Sequence, residues 1–181
     1  MNKPTQIHIY SDGSYFEKQN IGGWGAVIFK ATPSQKIDTR VPSSLEQSQS
    51  TLPPPPFQEL SRLSGCKKHT CSLEMELEAA CNALQSLKKL LNLTNQKTTD
   101  TYQITLFTDS RVLLEGLNKK MPLWRQKKWI HKSGNPVKYQ FLWESLDELT
   151  QQYQVSWRWV KGHSGNLGNT LADQLAREVN K

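Results

Sequence analysis

The stretch Tyr102-Gln103-Ile104-Thr105-Leu106-Phe107-Thr108-Asp109-Ser110 decides the fold class of this 181-residue chain. Its β-branched and aromatic residues predict a strand from Tyr102 to Thr108 that ends at Asp109. Ser110 is a residue type that caps helices, and a helix from Arg111 to Leu117 is predicted to follow it. A strand that passes directly into a helix indicates an α/β plan.

Upstream of this unit, three strands and one helix are predicted. Gln6 to Tyr10 has the composition of a short strand and runs into Asp12-Gly13, where glycine permits a bend. Gly22 to Phe29 is predicted as the second strand, and Phe57 to Ser64 as a third that closes a long hairpin with it. Apolar residues at helical spacing from Leu73 to Leu91 predict an amphipathic helix of about five turns.

Downstream of the unit, two more helices flank one more strand. A helix from about Phe141 to Gln152 leads to a strand from Val155 to Val160. A loop from Lys161 to Gly168 precedes a last helix, with Asn169 or Thr170 as its N-cap. This order predicts an α/β fold in which an antiparallel hairpin set is followed by parallel crossovers.

The length fits a single domain, residues 1–181, with its own hydrophobic core. The chain is too short for two domains that each bury a sizeable core. One segment departs in composition: residues 31–56 are rich in Ser, Gln and Thr and include four consecutive prolines, Pro53 to Pro56. Such a stretch buries little surface, so we predict an exposed insertion with a polyproline II segment. A ligand for a proline-binding partner domain is the alternative for this segment.

Charge is the strongest global feature: 23 Lys and Arg against 16 Asp and Glu give a net charge of +7 and a pI near 9.3. A basic balance suits a polyanionic partner, nucleic acid first and an anionic membrane second. No apolar run reaches the length of a signal-peptide core or a membrane span, so we expect no membrane association. Cys66, Cys71 and Cys81 lack metal-ligand spacing and predict free thiols in a reducing, cytoplasmic location.

Four acidic residues stand in separate short signatures: Asp12, Glu76, Asp109 and Asp173. If the strands of Asp12 and Asp109 are parallel neighbours, both carboxylates lie at the same edge of the sheet, where α/β proteins have their binding and active sites. Four carboxylates at one point can hold two hard divalent cations. Two such cations can activate a water and stabilise the leaving oxygen in phosphodiester hydrolysis, so the sequence predicts a nuclease.

Helical phase distinguishes the three glutamates near the start of the helix at Leu73. Glu76 lies about 60° from the centre of the apolar stripe, Glu74 about 100° and Glu78 about 140°. Glu76 is therefore expected at the edge of the core, and the other two are expected to point to water. Each remaining acid also has a structural interpretation, because Asp109 can cap a helix and Asp173 can complement a helix dipole.

A basic and aromatic segment, Lys119 to Tyr139, precedes the helix at Phe141. Interleaved cations and aromatic rings suit a phosphate backbone bounded by sugar faces. A solvated charged helix is the alternative. The cations are Lys119, Lys120, Arg125, Lys127, Lys128, Lys132 and Lys138, and the rings are Trp124, Trp129 and Tyr139.

The four signatures together resemble type 1 ribonuclease H over nearly the whole chain except residues 31–56. They are Asp12-Gly13-Ser14, Met75-Glu76-Leu77, Thr108-Asp109-Ser110, and Trp157-Arg158-Trp159-Val160-Lys161-Gly162-His163 with Asp173 ten residues on. The resemblance implies a ribonuclease H-like fold: a five-stranded mixed sheet, three antiparallel strands then parallel crossovers, flanked by helices. It also implies an endonuclease that cuts the RNA strand of RNA–DNA hybrids and leaves 5′-phosphate and 3′-hydroxyl ends. We expect two Mg²⁺ ions, replaceable by Mn²⁺, and a monomer.

Carried over residue by residue, the resemblance makes Asp12, Glu76, Asp109 and Asp173 the metal-binding carboxylates. It makes His163 a mobile-loop histidine that assists proton transfer or product departure. The basic segment resembles the family's basic protrusion, which grips the DNA strand. The residues expected to contact substrate are Lys18, Cys71, Ser72, Trp124, Lys127, Lys128, Trp129, Lys138, Lys161 and Asn169.

Two features depart from the family pattern. Members commonly carry paired asparagines a few residues before the helix glutamate, and this chain has Ser72 and Leu73 there. Leu73 cannot hydrogen-bond a base edge or a sugar hydroxyl. The loop after the first aspartate, usually rich in Asn, Pro and Gly, runs from Tyr15 to Ile21 here. We expect catalysis to be kept, whereas tightness of binding and strand discrimination are open.

Two other functions remain open on sequence alone. One is a non-catalytic hybrid-binding module that keeps the fold, and the other is a different ribonuclease H-like nuclease, such as a transposon-derived core. Loss of a carboxylate is the usual mark of the first, and all four are present. The basic segment and the loop Lys161-Gly162-His163 argue against the second.

Overall fold

The computed structural model describes residues 4–31, 57–91 and 102–178. The strands in these ranges are β1 (Thr5–Phe16), β2 (Ile21–Ala31), β3 (Phe57–Lys68), β4 (Tyr102–Thr108) and β5 (Ser156–Trp159). The helices are α1 (Ser72–Leu90), α2 (Arg111–Glu115), α3 (Met121–Gln126), α4 (Gln140–Tyr153) and α5 (Leu167–Arg177). A 3₁₀ turn, Glu17–Gln19, joins β1 to β2, and a π-helical turn, Gly116–Lys120, joins α2 to α3.

The strands form one mixed sheet in the order β3-β2-β1-β4-β5. β2 pairs antiparallel with both β1 and β3, whereas β4 runs parallel to both β1 and β5. The α/β fold with a five-stranded mixed sheet, predicted from the sequence, is confirmed. Its central strand, β1, is the one that carries Asp12.

Different helices cover the two faces of the sheet. Side chains alternate along β1, so Ile7 and Ile9 pack into the main core with α1 and α4. Tyr10 points to the other face, where it packs with Ala172 of α5. Trp143 of α4 is among the largest fully buried side chains of the main core. The result is a helix–sheet–helix arrangement with β1 in its middle layer.

Strand β1 does not bend at Asp12-Gly13, so that prediction is wrong. The strand continues in register with β2 to Phe16, and Asp12 lies opposite Gly25. Gly13 is required for another reason: a Cβ there would lie 2.5 Å from the backbone nitrogen of Glu76. The absent side chain lets the start of α1 approach β1 closely, which brings Glu76 next to Asp12.

The two predicted helix caps have different outcomes. Ser110 caps α2 as predicted, because its side chain accepts a hydrogen bond from the backbone N–H of Leu113. Helix α5 is capped by Asn166, not by Asn169 or Thr170: the Asn166 side chain accepts from the backbone N–H of Asn169 at 3.0 Å. The helix therefore begins earlier than predicted, and Asn169 lies within its first turn.

Glu74 is buried, which corrects the prediction that it points to water. Its exposed fraction is 5%. Its carboxylate accepts hydrogen bonds from Lys67 Nζ at 2.6 Å and from Thr70 Oγ1 at 2.8 Å. Helical phase turns Glu74 about 100° away from the centre of the apolar stripe, but the end of β3 and the turn after it cover that side of α1.

Two sequence predictions have only a limited outcome in the structure. The predicted insertion, residues 31–56, lies outside the described residues except for Ala31, which ends β2. A single domain bearing that insertion stays a prediction. Among the helices described, none is both long enough and apolar enough to cross a membrane.

Candidate active site and metal centre

Three carboxylates meet where β1, α1 and β4 come together. Asp12 lies on β1, Asp109 directly follows β4, and Glu76 lies near the start of α1. Because β1 and β4 are parallel neighbours, Asp12 and Asp109 lie toward the same end of the sheet. One oxygen from each of the three residues lies within 4.8 Å of the others. Carboxylate oxygens are the ligands that hard divalent cations such as Mg²⁺ prefer, so the group can bind one.

Burial makes the ionised form of these three carboxylates unfavourable when no positive charge is nearby. Asp12 and Glu76 are each 6% exposed, and the Oε2 atom of Glu76 is buried without a hydrogen-bond partner. Burial, followed by the charges of Asp109 and Asp173, raises the pKa of Asp12 from its ordinary value of 3.8 to about 8. Burial and the charges of Asp12 and Asp109 raise the pKa of Glu76 well above its ordinary value. A proton or a divalent cation relieves such crowding of negative charge.

Asp109 is held by contacts from the far end of the chain. Its Oδ2 atom accepts a hydrogen bond from Asn169 Nδ2 at 3.2 Å, and its backbone oxygen accepts one from Trp159 Nε1 at 3.3 Å. A Cβ on Gly162 would lie 2.5 Å from the same Oδ2 atom. Helix α5 therefore holds the carboxylate of Asp109 and β5 holds its backbone, and the loop after β5 passes close to the same carboxylate.

Asp173 lies on α5 beside the three converging carboxylates. All four acids line one cleft of about 320 Å³. Among the described residues, the mutually close ligand atoms come from Asp12, Glu76 and Asp109, without Asp173. The Oδ1 atom of Asp173 instead accepts a hydrogen bond from Arg177 Nε at 2.7 Å. The structure thus brings three of the predicted carboxylates to one point and places the fourth alongside, paired with an arginine.

His163 also lines the cleft. It is exposed and has a left-handed backbone, with φ of 50°, in the loop between β5 and α5. Ser164 Oγ donates to the backbone oxygen of Lys161 at 2.7 Å, which closes this loop into a turn. An imidazole in that position can exchange protons both with solvent and with a molecule in the cleft.

Comparison with known proteins decides the family. A family model described as RNase H matches residues 54–181, which is more than half of the chain. The chain belongs to the ribonuclease H family. Ribonuclease H of Francisella philomiragia is 33% identical over 177 residues, covering 98% of this chain and 92% of that one. The protein is therefore an enzyme, a hydrolytic nuclease, and family membership implies dependence on a divalent metal.

Solved structures give the same fold. LC9-RNase H1, described as a type 1 RNase H with the type 2 active-site motif, superposes with a TM-score of 0.70 at 22% identity, covering 97% of this chain and 72% of that one. The foamy viral protease-reverse transcriptase in complex with RNA/DNA hybrid superposes with a TM-score of 0.62 at 14% identity. That match covers 95% of this chain and 19% of the viral one. At these identities the likeness concerns the ribonuclease H fold alone.

In the basic segment of this ribonuclease H, lysines and tryptophans take different positions. Lys127, Lys128 and Lys138 are exposed, whereas Trp124 and Trp129 are half-buried. Trp124 packs edge-on against the buried Trp143, with ring centroids 5.3 Å apart, and it also lies near Trp129. The tryptophans thus anchor the segment to the core, and the lysine ammonium groups lie at the surface.

The other predicted substrate contacts of this ribonuclease H divide by exposure. Lys18 and Lys161 are exposed on the turns that follow β1 and β5, and Ser72 is exposed at the start of α1. Cys71 is half-buried, and its Sγ atom lies 3.1 Å from the Oη atom of Tyr139. Asn169 is only 2% exposed, so the structure places it behind Asp109 rather than at the surface.

Sequence reasoning missed two features of the site. Arg177 lies outside the four acidic signatures, although its spacing of four residues from Asp173 on one helix is typical of an ion pair. The contact between Asn169 and Asp109 joins positions 60 residues apart, so no local pattern indicates it.

Proposed function

We propose that the protein is an endonuclease that hydrolyses the RNA strand of RNA–DNA hybrids with two Mg²⁺ ions, leaving 5′-phosphate and 3′-hydroxyl ends. The observation that carries this proposal is the convergence of Asp12, Glu76 and Asp109 in an acidic cleft, where Asp12 and Glu76 are buried. Family membership supports the reaction class. The hybrid substrate is supported by the foamy viral protease-reverse transcriptase solved in complex with RNA/DNA hybrid, which contains this fold.

The residues present fit a divalent cation. The buried Oε2 atom of Glu76 has no partner, and the raised pKa of Asp12 shows that negative charge is unfavourable there unless compensated. Asp12, Glu76 and Asp109 would hold one ion, and Asp12 with Asp173 would hold the other. When bound, such ions supply activation of the attacking water and neutralisation of charge on the departing 3′ oxygen.

The neighbouring side chains have roles of their own. Asn169 and Trp159 orient Asp109 through its carboxylate and its backbone oxygen, which keeps that ligand from rotating away. His163, exposed in the cleft wall, is positioned to take or give a proton as the product leaves. Asn169 is thus proposed as a positioning residue, instead of the substrate contact that the sequence suggested.

Substrate is proposed to extend from the cleft across the basic segment. The exposed ammonium groups of Lys127, Lys128 and Lys138 suit phosphate oxygens, which carry no base information. Hybrids approach A-form geometry, in which the shallow groove displays 2′-hydroxyl groups. Recognition is therefore proposed to follow groove shape and hydroxyl contacts instead of base sequence. We also propose a monomer, and a cytoplasmic location that the free cysteines support.

Substrate preference tests the proposal directly. Purified protein is incubated with Mg²⁺ and four end-labelled duplexes or strands: RNA–DNA hybrid, double-stranded RNA, single-stranded RNA and double-stranded DNA. Only the hybrid should be cut, in its RNA strand, and a phosphatase should remove a 5′-phosphate from the downstream product. Equal cutting of double-stranded DNA would instead favour the other nuclease function.

Asp109→Asn separates catalysis from binding. The substitution removes charge from the proposed metal site with little change in size, so cleavage should be lost while hybrid binding is largely kept. Binding by fluorescence anisotropy serves as the control for folding. Cleavage retained in this variant would overturn the proposed metal site, and hybrid binding without cleavage in the wild-type protein would favour the binding module.

A further inference from the structure

On the side of the cleft near Asp173, the positively charged side chain of Arg177 lies close to the acidic residues. Arg177 lines the cleft together with the four acids. Its hydrogen bond to Asp173, and then the charges of Asp173 and Asp12, raise the pKa of Arg177. The guanidinium group therefore compensates the part of the acidic cluster that lies beyond the Asp12, Glu76 and Asp109 group.

The ion pair between Asp173 and Arg177 is weak enough for a divalent cation to displace it. The two residues lie one helical turn apart on α5, and their side chains are 18% and 54% exposed, respectively. Ion pairs at this spacing on a wet helix surface are weak, because water and salt screen them. Asp109 contrasts with Asp173, since its partner Asn169 is 2% exposed and carries no charge. A divalent cation carries twice the charge of a guanidinium and bonds directly to carboxylate oxygen.

We propose that Arg177 is a positioning residue that competes with the second divalent cation for Asp173. This inference rests on the proposed two-metal function. Without that ion, Arg177 pairs with Oδ1 of Asp173 beside the three converging carboxylates, so the guanidinium occupies one of the two carboxylate oxygens and its positive charge repels an incoming cation. The second ion therefore binds more weakly than the first, and Arg177 sets much of that difference.

Binding of Mn²⁺ to the full chain without substrate tests the competition. Free Mn²⁺ is counted by electron paramagnetic resonance during titration of the wild-type protein and of Arg177→Gln. We expect the first site to be unchanged and the second to bind roughly tenfold more tightly in the variant, because one nearby positive charge has been removed. If the wild-type protein binds a single ion over the accessible range, Arg177→Gln should bring a second ion into that range.

Arg62→Gln is the matched control. Arg62 forms the same kind of pair, at 2.7 Å to Glu59 with 49% exposure, but on β3 instead of in the cleft. Its replacement changes the net charge equally and should leave both Mn²⁺ sites unchanged. An identical second-site affinity in wild-type protein and Arg177→Gln would overturn the inference, and so would an equal effect of Arg62→Gln.

Asp12→Asn distinguishes the two possible failures. If this variant loses Mn²⁺ binding while Arg177→Gln changes nothing, the metal site stands and only the role of Arg177 is wrong. If Asp12→Asn binds Mn²⁺ as the wild-type protein does, the proposed metal site itself is wrong.

Discussion

At Asp12, a buried carboxyl with a pKa raised to about 8 lies within reach of two other acids. Its folded-state pKa exceeds the ordinary value of 3.8, so the folded protein binds more protons than the unfolded chain between these two values. Stability contributed by the protonated form is therefore lost as the pH rises from about 4 to about 8. The residue that the proposed metal needs most is thus one that destabilises the metal-free fold at neutral pH.

Asp12→Asn should stabilise the metal-free protein. In EDTA at pH 8 we expect a melting temperature several degrees above that of the wild type, since about 1 kcal/mol corresponds to roughly 2–4 °C for a domain of this size. At pH 5 the difference should shrink, because the wild-type carboxyl is then protonated in the folded state. Thermal unfolding followed by circular dichroism measures both values. A variant that melts lower than the wild type at pH 8 would contradict this account.

Asn169 is a second residue whose substitution should act on metal affinity, through its hydrogen bond to Asp109. Asn169→Ala removes the donor to Asp109 Oδ2 and should lower Mn²⁺ affinity about 10- to 100-fold, the usual effect of removing a partner of a metal ligand. Asn135→Ala is the control, because Asn135 is exposed and its side chain donates a hydrogen bond to Ser133 Oγ, far from the acidic residues in sequence. Titration calorimetry gives the affinities. Equal affinity in the two variants would mean that Asn169 does not position Asp109.

Among the elements, the basic segment and its anchoring tryptophans are the main surface for substrate. Lys127→Gln with Lys128→Asn should weaken hybrid binding and reduce the slope of log affinity against log salt by about 1 for each phosphate that is no longer neutralised. Asparagine is chosen at position 128 because the backbone there is left-handed, with φ of 52°. Lys88→Gln with Lys89→Gln, on exposed residues at the end of α1, makes the same change in net charge. Equal salt slopes in the two double variants would mean that residues other than Lys127 and Lys128 bind the phosphate backbone.

Elements whose signals are local could be predicted from the sequence, and contacts between elements could not. The bounds of β4 and the Ser110 cap follow from β-branched residues and a capping side chain within a few positions. Glu76 was separated from Glu78 by helical phase. Glu74 was misplaced because its burial depends on Lys67, a residue that another element brings over α1. The same limit applies to Arg177, whose importance lies in the acids that the fold places beside it.

At the scale of the whole molecule, two titratable groups of β1, His8 and Asp12, respond to pH in opposite directions. On the α5 side of β1, His8 stacks on Phe57 with ring centroids 4.5 Å apart, and its Nδ1 atom is buried without a partner. Burial, followed by the charge of Arg158, lowers the pKa of His8 from 6.5. The unfolded chain therefore takes up this proton first, and stability is lost as the pH falls below about 6.5. The carboxylate cluster acts in the other direction.

Magnesium should separate these two effects. Because carboxylate ligands must be deprotonated, the rise in melting temperature on adding Mg²⁺ should grow from pH 5 to pH 8, with about 2.7 kcal/mol gained at 100 times the dissociation constant. The loss of stability below pH 6.5 should remain with Mg²⁺ present and should weaken in His8→Phe, which keeps the aromatic stack without a titrating group. Melting curves at pH 5, 6, 7 and 8, with MgCl₂ or EDTA, measure both proteins. If the rise in melting temperature caused by Mg²⁺ did not depend on pH, proton release at the carboxylate cluster would be contradicted. If His8→Phe lost as much stability below pH 6.5 as the wild type, that loss would come from groups other than His8.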